Sequence, residues 1–208
     1  MTDMDTSVLM SGYVRGLFAE EGPVLEELRR EIGRQDIPEI YISAEQGKLL
    51  QLLLTAIGAR RVLEIGTLGG YSALWMARAL PGDGTLLTLE KDAERAEFAR
   101  RFIEKAAMED VVHVRVGEAR EVLEELAADV EAGREEPFDA VFIDADKEPF
   151  VEYLERSLEL VRPGGLILGD NAFRSGRILE DDPDADTRGV LDYNDRIASD
   201  PRLVSTII

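Results

Sequence analysis

The stretch RVLEIGTLGGYSALWMARA, Arg61–Ala79, decides the fold of this 208-residue chain. It begins with an apolar run that is typical of a strand buried on both faces. The glycines of the segment Gly66–Gly70 indicate a turn in which the backbone can approach a ligand closely. Residues 72–79 then have the composition of a helix with an apolar side. We therefore predict a strand, a glycine turn and a helix, with Glu64 near the end of the strand.

Strands and helices alternate along the rest of the chain. The predicted strands are Thr85–Leu89, Val111–Val116, Phe138–Ile143 and Leu166–Leu168, and the predicted helices are Ala93–Ala107, Glu118–Ala132 and Phe150–Val161. This alternation predicts right-handed crossovers and an α/β Rossmann-like fold, a mostly parallel sheet with helices on both faces. Residues 171–188 are predicted to be irregular, and a helix at Gly189–Ser199 and a strand at Leu203–Ile208 are predicted to follow.

The first 60 residues are predicted to be helical. Ser7–Phe18 and Pro23–Arg34 have amphipathic patterns, and a third helix is predicted to begin at Ser43 or Ala44. Ser43 and the glutamine three residues later form a capping-box pattern. Since 208 residues suit one domain, we predict a single domain over residues 1–208, with N-terminal helices in 1–60 and an α/β core in 61–208.

The composition excludes several classes of protein. The chain carries 24 basic and 43 acidic residues, a formal net charge of −19, whereas nucleic acids and anionic membranes both require basic surface. We therefore expect neither as a partner. Without cysteine, the chain has no disulfide framework and no thiolate metal site. We find no apolar run long enough to span a membrane and no signal-peptide pattern, so we expect a cytoplasmic protein.

Acidic side chains mark the predicted strand ends. They are Glu64, Glu90, Glu118, Asp144 and Asp170. In an open α/β sheet, ligands bind outside the carboxyl ends of the strands. We therefore expect these carboxylates to converge on one ligand site.

The glycine turn favours S-adenosylmethionine over a dinucleotide. The dinucleotide fingerprint needs a glycine two positions after Gly66, where this chain has Leu68. A carboxylate at Glu64 is unfavourable for a pyrophosphate but attracts the positive charges of S-adenosylmethionine. We expect the backbone at Gly66 and the hydroxyl of Ser72 to bind the methionine portion, and Glu90 to bind the ribose hydroxyls.

A second cluster lies in FDAVFIDADK, Phe138–Lys147, and LILGDN, Leu166–Asn171. Two carboxylates and an amide oxygen, from Asp144, Asp170 and Asn171, form a set of hard oxygen donors that suits Mg²⁺, with Ca²⁺ or Mn²⁺ possible. Lys147 lies three residues beyond Asp144. A lysine next to a divalent cation can act as a general base near neutral pH.

The motifs EIGTLGGYS, the strand end at Glu90, FIDADK and GDN together resemble the cation-dependent O-methyltransferase family, which includes catechol and caffeoyl-CoA O-methyltransferases. The resemblance extends from about Ile40 to Ile208. It implies Asp144, Asp170 and Asn171 as metal ligands, Lys147 as the catalytic base, and Ile42, Glu64, Gly66, Ser72, Glu90, Ala119 and Asp144 as cofactor contacts. It also implies a homodimer.

The chain departs from that family at two places. Many relatives have an aromatic residue, usually tryptophan, two or three positions after the Asp-Asn pair, where this chain has Phe173 and Arg174. Family chains also end in an antiparallel hairpin, whereas this sequence stops after the predicted strand at Leu203–Ile208. We therefore expect the final strand of the family sheet to be missing. An open sheet edge invites pairing with another chain.

We predict an S-adenosylmethionine-dependent, divalent-metal-dependent O-methyltransferase acting on a catechol-like or other vicinal-hydroxyl small molecule, a phenolic substrate. Three alternatives stay open at this point. One is a methyltransferase of the same family that modifies a tRNA base. The others are an NAD(P)-dependent oxidoreductase and a non-catalytic binding protein.

Overall fold

The computed structural model describes residues 3–35 and 37–208. The strands are β1 Arg61–Ile65, β2 Thr85–Glu90, β3 Val112–Val116, β4 Phe138–Ile143 and β5 Val161–Gly169. The helices are α1 Asp3–Phe18, α2 Pro23–Ile32, α3 Ala44–Ala56, α4 Tyr71–Ala77, α5 Ala93–Lys105, α6 Ala119–Glu131, α7 Phe150–Leu160 and α8 Ala185–Ser199, with a 3₁₀ segment at Arg174–Leu179.

The strands form one parallel sheet in the order β3-β2-β1-β4-β5. In its register, Glu64 lies opposite Thr88 of β2 on one side and Phe142 of β4 on the other. The strand order reverses between β1 and β4, and such a switch point opens a crevice at the carboxyl ends of the strands. The predicted α/β fold is confirmed.

Two apolar layers cover the sheet. Helices α2 to α5 pack on one face around residues such as Leu28 and Trp75, and helices α6 to α8 pack on the other around Phe150 and Tyr193. Strand β1 contributes to both layers, because Val62 points into the first and Leu63 into the second. This burial on both faces explains the unbroken apolar run in the sequence.

The glycine turn after β1 brings two strand ends together. Gly66 has φ +103°, and a side chain there would collide with the backbone carbonyl of Asp144 at the end of β4. Gly70, with φ +84°, forms the N-cap of α4. The turn therefore needs glycine both for its backbone conformation and for its contact with the next strand.

Several predicted boundaries are wrong at the C-terminal side. Residues 203–208 form no strand with the described part of the chain, and Val204 and Ile208 are exposed, because no neighbouring strand pairs with their apolar pattern. Strand β5 is longer than predicted and includes Pro163, which an edge strand tolerates. Helix α8 begins at Ala185, within the stretch predicted to be irregular.

Helix α1 differs from the amphipathic prediction. Its exposed apolar side chains are Val8, Leu9, Met10, Tyr13, Val14, Leu17 and Phe18. Its polar contacts run to α3, where both Ser11 and Arg15 bind Glu45. Across the described residues, we find no helix that combines the length and apolar character needed to cross a membrane.

Candidate active site

A cleft of about 640 Å³ opens at the carboxyl ends of the strands, at the switch point of the sheet. Nine of the predicted site residues line it: Ile42, Gly66, Ser72, Glu90, Glu118, Ala119, Asp144, Lys147 and Asn171. Two others, Glu64 and Asp170, lie behind this surface. The structure therefore brings the predicted cofactor and metal residues to one site, as expected from the parallel strand ends.

Glu64 is fully buried beneath the glycine turn. Its two carboxylate oxygens accept hydrogen bonds from Ser72 Oγ and Thr88 Oγ1, each at 2.5 Å, and Thr67 lies 2.6 Å from the Thr88 hydroxyl. Burial raises the pKa of Glu64 to about 8, and the negative charges of Asp144 and Glu90 add to the rise. Glu64 thus contacts the cleft through its hydrogen bond with Ser72.

Glu90 ends β2 and fixes the glycine turn from the neighbouring strand. Its carboxylate accepts hydrogen bonds from the backbone N–H groups of Leu68, at 2.8 Å, and Asp92, at 3.0 Å. The next residue, Lys91, forms an ion pair of 2.7 Å with Asp146 across the cleft. Glu90 therefore lines the cleft at the place where ribose recognition was predicted, with its orientation fixed by two donors.

Asp144 and Asp170 stand on adjoining strand ends. Their backbone N–H groups donate to Ile65 O at 2.9 Å and Ile143 O at 3.0 Å, so they continue the hydrogen-bond ladder past the strands. Burial raises the pKa of Asp170, and the negative charge of Asp144 raises it further. The two carboxylates repel each other, and a divalent cation would relieve that repulsion.

Asn171 completes the predicted ligand set. It follows Asp170 directly, has φ +65° and lines the cleft. Among the described residues we find no group of three or more His, Cys, Asp or Glu side chains placed to hold a metal. A metal at Asp144 and Asp170 would therefore use the amide oxygen of Asn171 as its third protein ligand. Two carboxylates and an amide fit Mg²⁺.

Lys147 is buried at the same corner of the cleft. Its Nζ donates to Asp144 Oδ1 at 2.9 Å and lies 4.5 Å from the centre of the Phe150 ring. Helix α8 supports this position from behind, because a side chain at Gly189 would collide with the Lys147 carbonyl oxygen. The amine of Lys147 is therefore held next to a predicted metal ligand by packing as well as by charge.

Comparison with known proteins identifies the family. A model described as O-methyltransferase matches residues 16–208. A catechol O-methyltransferase from Niastella koreensis is 40% identical over 197 residues, 94% of this chain and 87% of that protein. A caffeoyl-CoA O-methyltransferase from Eucalyptus globulus is 35% identical over 195 residues, 90% of this chain and 78% of that protein.

The same family appears among solved structures. The crystal structure of an O-methyltransferase from Bacillus cereus in complex with SAH has a TM-score of 0.86 and 40% sequence identity, and the match covers 93% of this chain and 86% of that one. The chain belongs to the O-methyltransferase family. The resemblance given by the motifs and the predicted enzyme class are thereby confirmed. The oxidoreductase and the non-catalytic binding protein are wrong as alternatives.

Other residues in or behind the cleft of this O-methyltransferase were not predicted as site residues from the sequence. Thr88 binds Glu64 from the neighbouring strand, and the Gln46 side chain donates to Asp170 Oδ1 at 3.2 Å. Gln46 was predicted only as a capping residue, a role that is confirmed by the capping box with Ser43. Arg174 also lines the cleft. Nothing in local spacing reveals these contacts, because they join residues that are distant in the chain.

Proposed function

We propose that this chain is an S-adenosylmethionine-dependent, divalent-metal-dependent O-methyltransferase whose substrate is a catechol-like or other vicinal-hydroxyl phenolic molecule. One observation carries the proposal: Asp144 and Lys147 line the cleft beside the glycine turn, and Asp170 stands directly behind them on the adjoining strand end. The turn suits the methyl donor and the carboxylate pair suits a hydroxyl-binding cation. Their proximity supports transfer of the methyl group to oxygen. We propose that residues 1–208 act as one methyltransferase domain.

The cofactor side of the proposal rests on the turn and on a relative. The Bacillus cereus enzyme was solved with SAH, the demethylated form of S-adenosylmethionine. In this chain, the backbone at Gly66 and the Ser72 hydroxyl line the cleft, while Glu64 places a carboxylate behind Ser72. A cationic ligand favours the ionised form of Glu64. We propose that Ile42, Glu90 and Ala119 contact the remainder of the cofactor.

The metal side rests on the donor set. We propose that Asp144, Asp170 and Asn171 would hold Mg²⁺, or Ca²⁺ or Mn²⁺ in its place. When bound, S-adenosylmethionine supplies an electrophilic methyl group and the cation supplies positive charge that favours an ionised substrate hydroxyl. Gln46 fixes the orientation of Asp170 through its hydrogen bond. Such orientation of a ligating carboxylate is part of metal selectivity and affinity.

Lys147 has the position that a general base requires. In its neutral form, its Nζ accepts the proton of the reacting hydroxyl, and Asp144, 2.9 Å away, stabilises the resulting ammonium. Burial of Lys147 limits the rotamers of the amine. Positioned proton transfer typically contributes about 10²- to 10⁴-fold to a rate, and orientation of the two reactants adds to it.

A methylation screen tests the proposed function. Catechols, flavonoids and hydroxycinnamates would be incubated with labelled S-adenosylmethionine, with Mg²⁺ and with EDTA. We expect methyl transfer to a hydroxyl of a vicinal pair, lost with EDTA and restored by added Mg²⁺. Equal turnover in both conditions would overturn the metal dependence. Methylation of tRNA in place of every phenol would overturn the substrate class, although the net charge of −19 opposes tRNA binding.

We also propose a homodimer formed through α1. Residues 7–18 of α1 contain one charged residue, Arg15, in a chain of net charge −19, and their apolar side chains are largely exposed. A second copy of the chain has the same mostly apolar surface and can therefore cover it. Light scattering should give twice the chain mass for the wild type and the chain mass for Leu9→Glu, whereas Leu179→Glu, at an exposed leucine elsewhere, should stay dimeric. A monomeric wild type would contradict the proposal.

A further inference from the structure

We propose that Arg174 and Arg177 form a carboxylate-binding subsite, so that the preferred substrate is a catechol that also carries a carboxylate. This inference rests on the proposed function, because it names the substrate class of the same cleft. Both arginines line the cleft that Lys147 and Asn171 line.

The backbone fixes Arg174 close to the proposed metal ligands. Its N–H donates to the carbonyl oxygen of Asn171 at 2.9 Å, and Asn194 of α8 donates to Ala172 O at 2.9 Å. Asn171, Arg174 and Ser175 have φ of +65°, +45° and +54°. Non-glycine residues adopt this region at a cost, and such clusters are typical of functional sites. The turn therefore holds the direction of Arg174 relative to Asn171.

The guanidinium of Arg174 is poorly satisfied by its own chain. Its side chain is 20% exposed, and its contacts with Asp186 and Asp184 are long, 3.5 and 3.9 Å, and both run through Nη2. Its Nε is buried without a hydrogen-bond partner. Buried donors are rarely left unpaired. Arg174 thus forms only long contacts with its own chain, and a ligand in the cleft can replace them.

The neighbouring acids hold Arg174 only through these long contacts. Asp184 also accepts the N–H of Thr187 at 2.8 Å and pairs with Arg177 at 3.0 Å, so this carboxylate already has two closer partners than Arg174. A planar guanidinium matches a carboxylate through two parallel hydrogen bonds. An uncharged ring would gain little from a mostly buried arginine, whereas a carboxylated ring would complete its hydrogen bonds.

A matched pair of substrates tests the inference. We would measure kcat and KM for 3,4-dihydroxybenzoate and for the neutral 3,4-dihydroxybenzamide, which have similar shapes. We expect the wild type to prefer the benzoate at least about tenfold in kcat/KM, the size of one charge-assisted hydrogen bond. A wild-type preference below twofold overturns the inference without any variant.

Variants locate the preference. Arg174→Gln should raise KM for the benzoate about tenfold and change that for the benzamide less than threefold. Arg177→Gln should act in the same direction, and Asp186→Asn, which removes a competing carboxylate, should lower KM for the benzoate. The control is Arg188→Gln, since Arg188 is 61% exposed, pairs with Asp182 and does not line the cleft. We expect this control to leave both substrates unchanged.

The outcomes separate the two proposals. If Arg174→Gln lowers kcat/KM equally for both substrates and the thermal midpoint is unchanged, the carboxylate subsite is overturned. The proposed methylation of catechols is unaffected by that result. If Arg174→Gln does not fold, the wild-type ratio and Arg177→Gln decide. A wild type that methylates neither compound would overturn the proposed function, and the subsite with it.

Discussion

The proposed cofactor half of the cleft, built on Glu64, Ser72 and Thr88, differs from the proposed metal half in how its charge is balanced. The Glu64 carboxyl group has a hydroxyl partner at each oxygen, and burial raises its pKa to about 8. In the metal half, Asp144 and Asp170 repel each other across adjoining strand ends. The first half is complete without a ligand, whereas the second has negative charge that a cation would neutralise.

The two halves also differ in their backbone. In the cofactor half, Glu64, Thr88 and Ser72 lie on β1, β2 and α4, which regular hydrogen bonds hold in place. The metal half continues into a left-handed turn from Asn171 to Gly176. Residues on regular elements are held more rigidly than residues on turns. We therefore expect substitutions in the first half to cost stability and those in the second to cost activity.

Lys147→Ala should give the largest effect. Loss of the base should lower kcat by about 10²- to 10⁴-fold, while the dissociation constant for S-adenosylmethionine, measured by calorimetry, changes less than threefold. Lys48→Ala is the control, because Lys48 bonds to Gln51 on α3, away from the cleft. Normal turnover in a folded Lys147→Ala protein would refute the base assignment. Equal loss of cofactor affinity would break the distinction between the two halves.

Gly66→Ala should mainly affect folding. The new side chain would collide with the Asp144 carbonyl at φ +103°, so we expect the free energy of unfolding to fall by about 2 to 4 kcal/mol. Gly58→Ala is the matched control, since Gly58 has φ +61° and open space around it, and should cost about 1 kcal/mol. Both would be measured by urea denaturation. Equal losses at the two glycines would show that the contact with Asp144 contributes nothing.

Glu64 predicts a pH dependence of stability. Its pKa of about 8 in the folded chain exceeds the ordinary value of 4.5, so the unfolded chain releases this proton first. The protonated Glu64 therefore stabilises the folded chain fully below about pH 4.5, and this contribution is lost as the pH rises to about 8. We expect the unfolding free energy of the wild type to fall by several kcal/mol relative to Glu64→Gln across this window. Parallel curves for the two proteins would contradict the protonated state of Glu64.

Gln46→Ala should give the smallest loss of activity, and it tests whether Gln46 orients a metal ligand. Losing the donor to Asp170 should weaken activation by Mg²⁺ about tenfold, as for other residues that orient metal ligands. Ser43→Ala removes the same capping box without touching Asp170. Both variants should lose similar stability, and only Gln46→Ala should need more Mg²⁺. Similar Mg²⁺ activation curves for the two variants would assign Gln46 to capping alone.

The sequence predicted best those features of the fold and the site that depend on residues close together in the chain. The strand, turn and helix around Gly66 and the capping box at Ser43 were predicted because glycine conformations and caps depend on neighbours in the chain. The partners Thr88 and Gln46 were not predicted, because strand register and helix docking bring them to Glu64 and Asp170. The strand predicted at Leu203–Ile208 failed for the same reason, since an apolar alternation forms a strand only beside a pairing partner.

Helix α8 links the completion of folding to the onset of activity. Its Gly189 lies against the backbone of Lys147, and its Asn194 holds the turn that follows Asn171. These two contacts reach the proposed base and a proposed metal ligand from residues late in the chain. A folding intermediate in which α8 has not docked would hold neither group in place. We therefore expect methyl transfer during synthesis to begin only after α8 has packed against the residues that precede it.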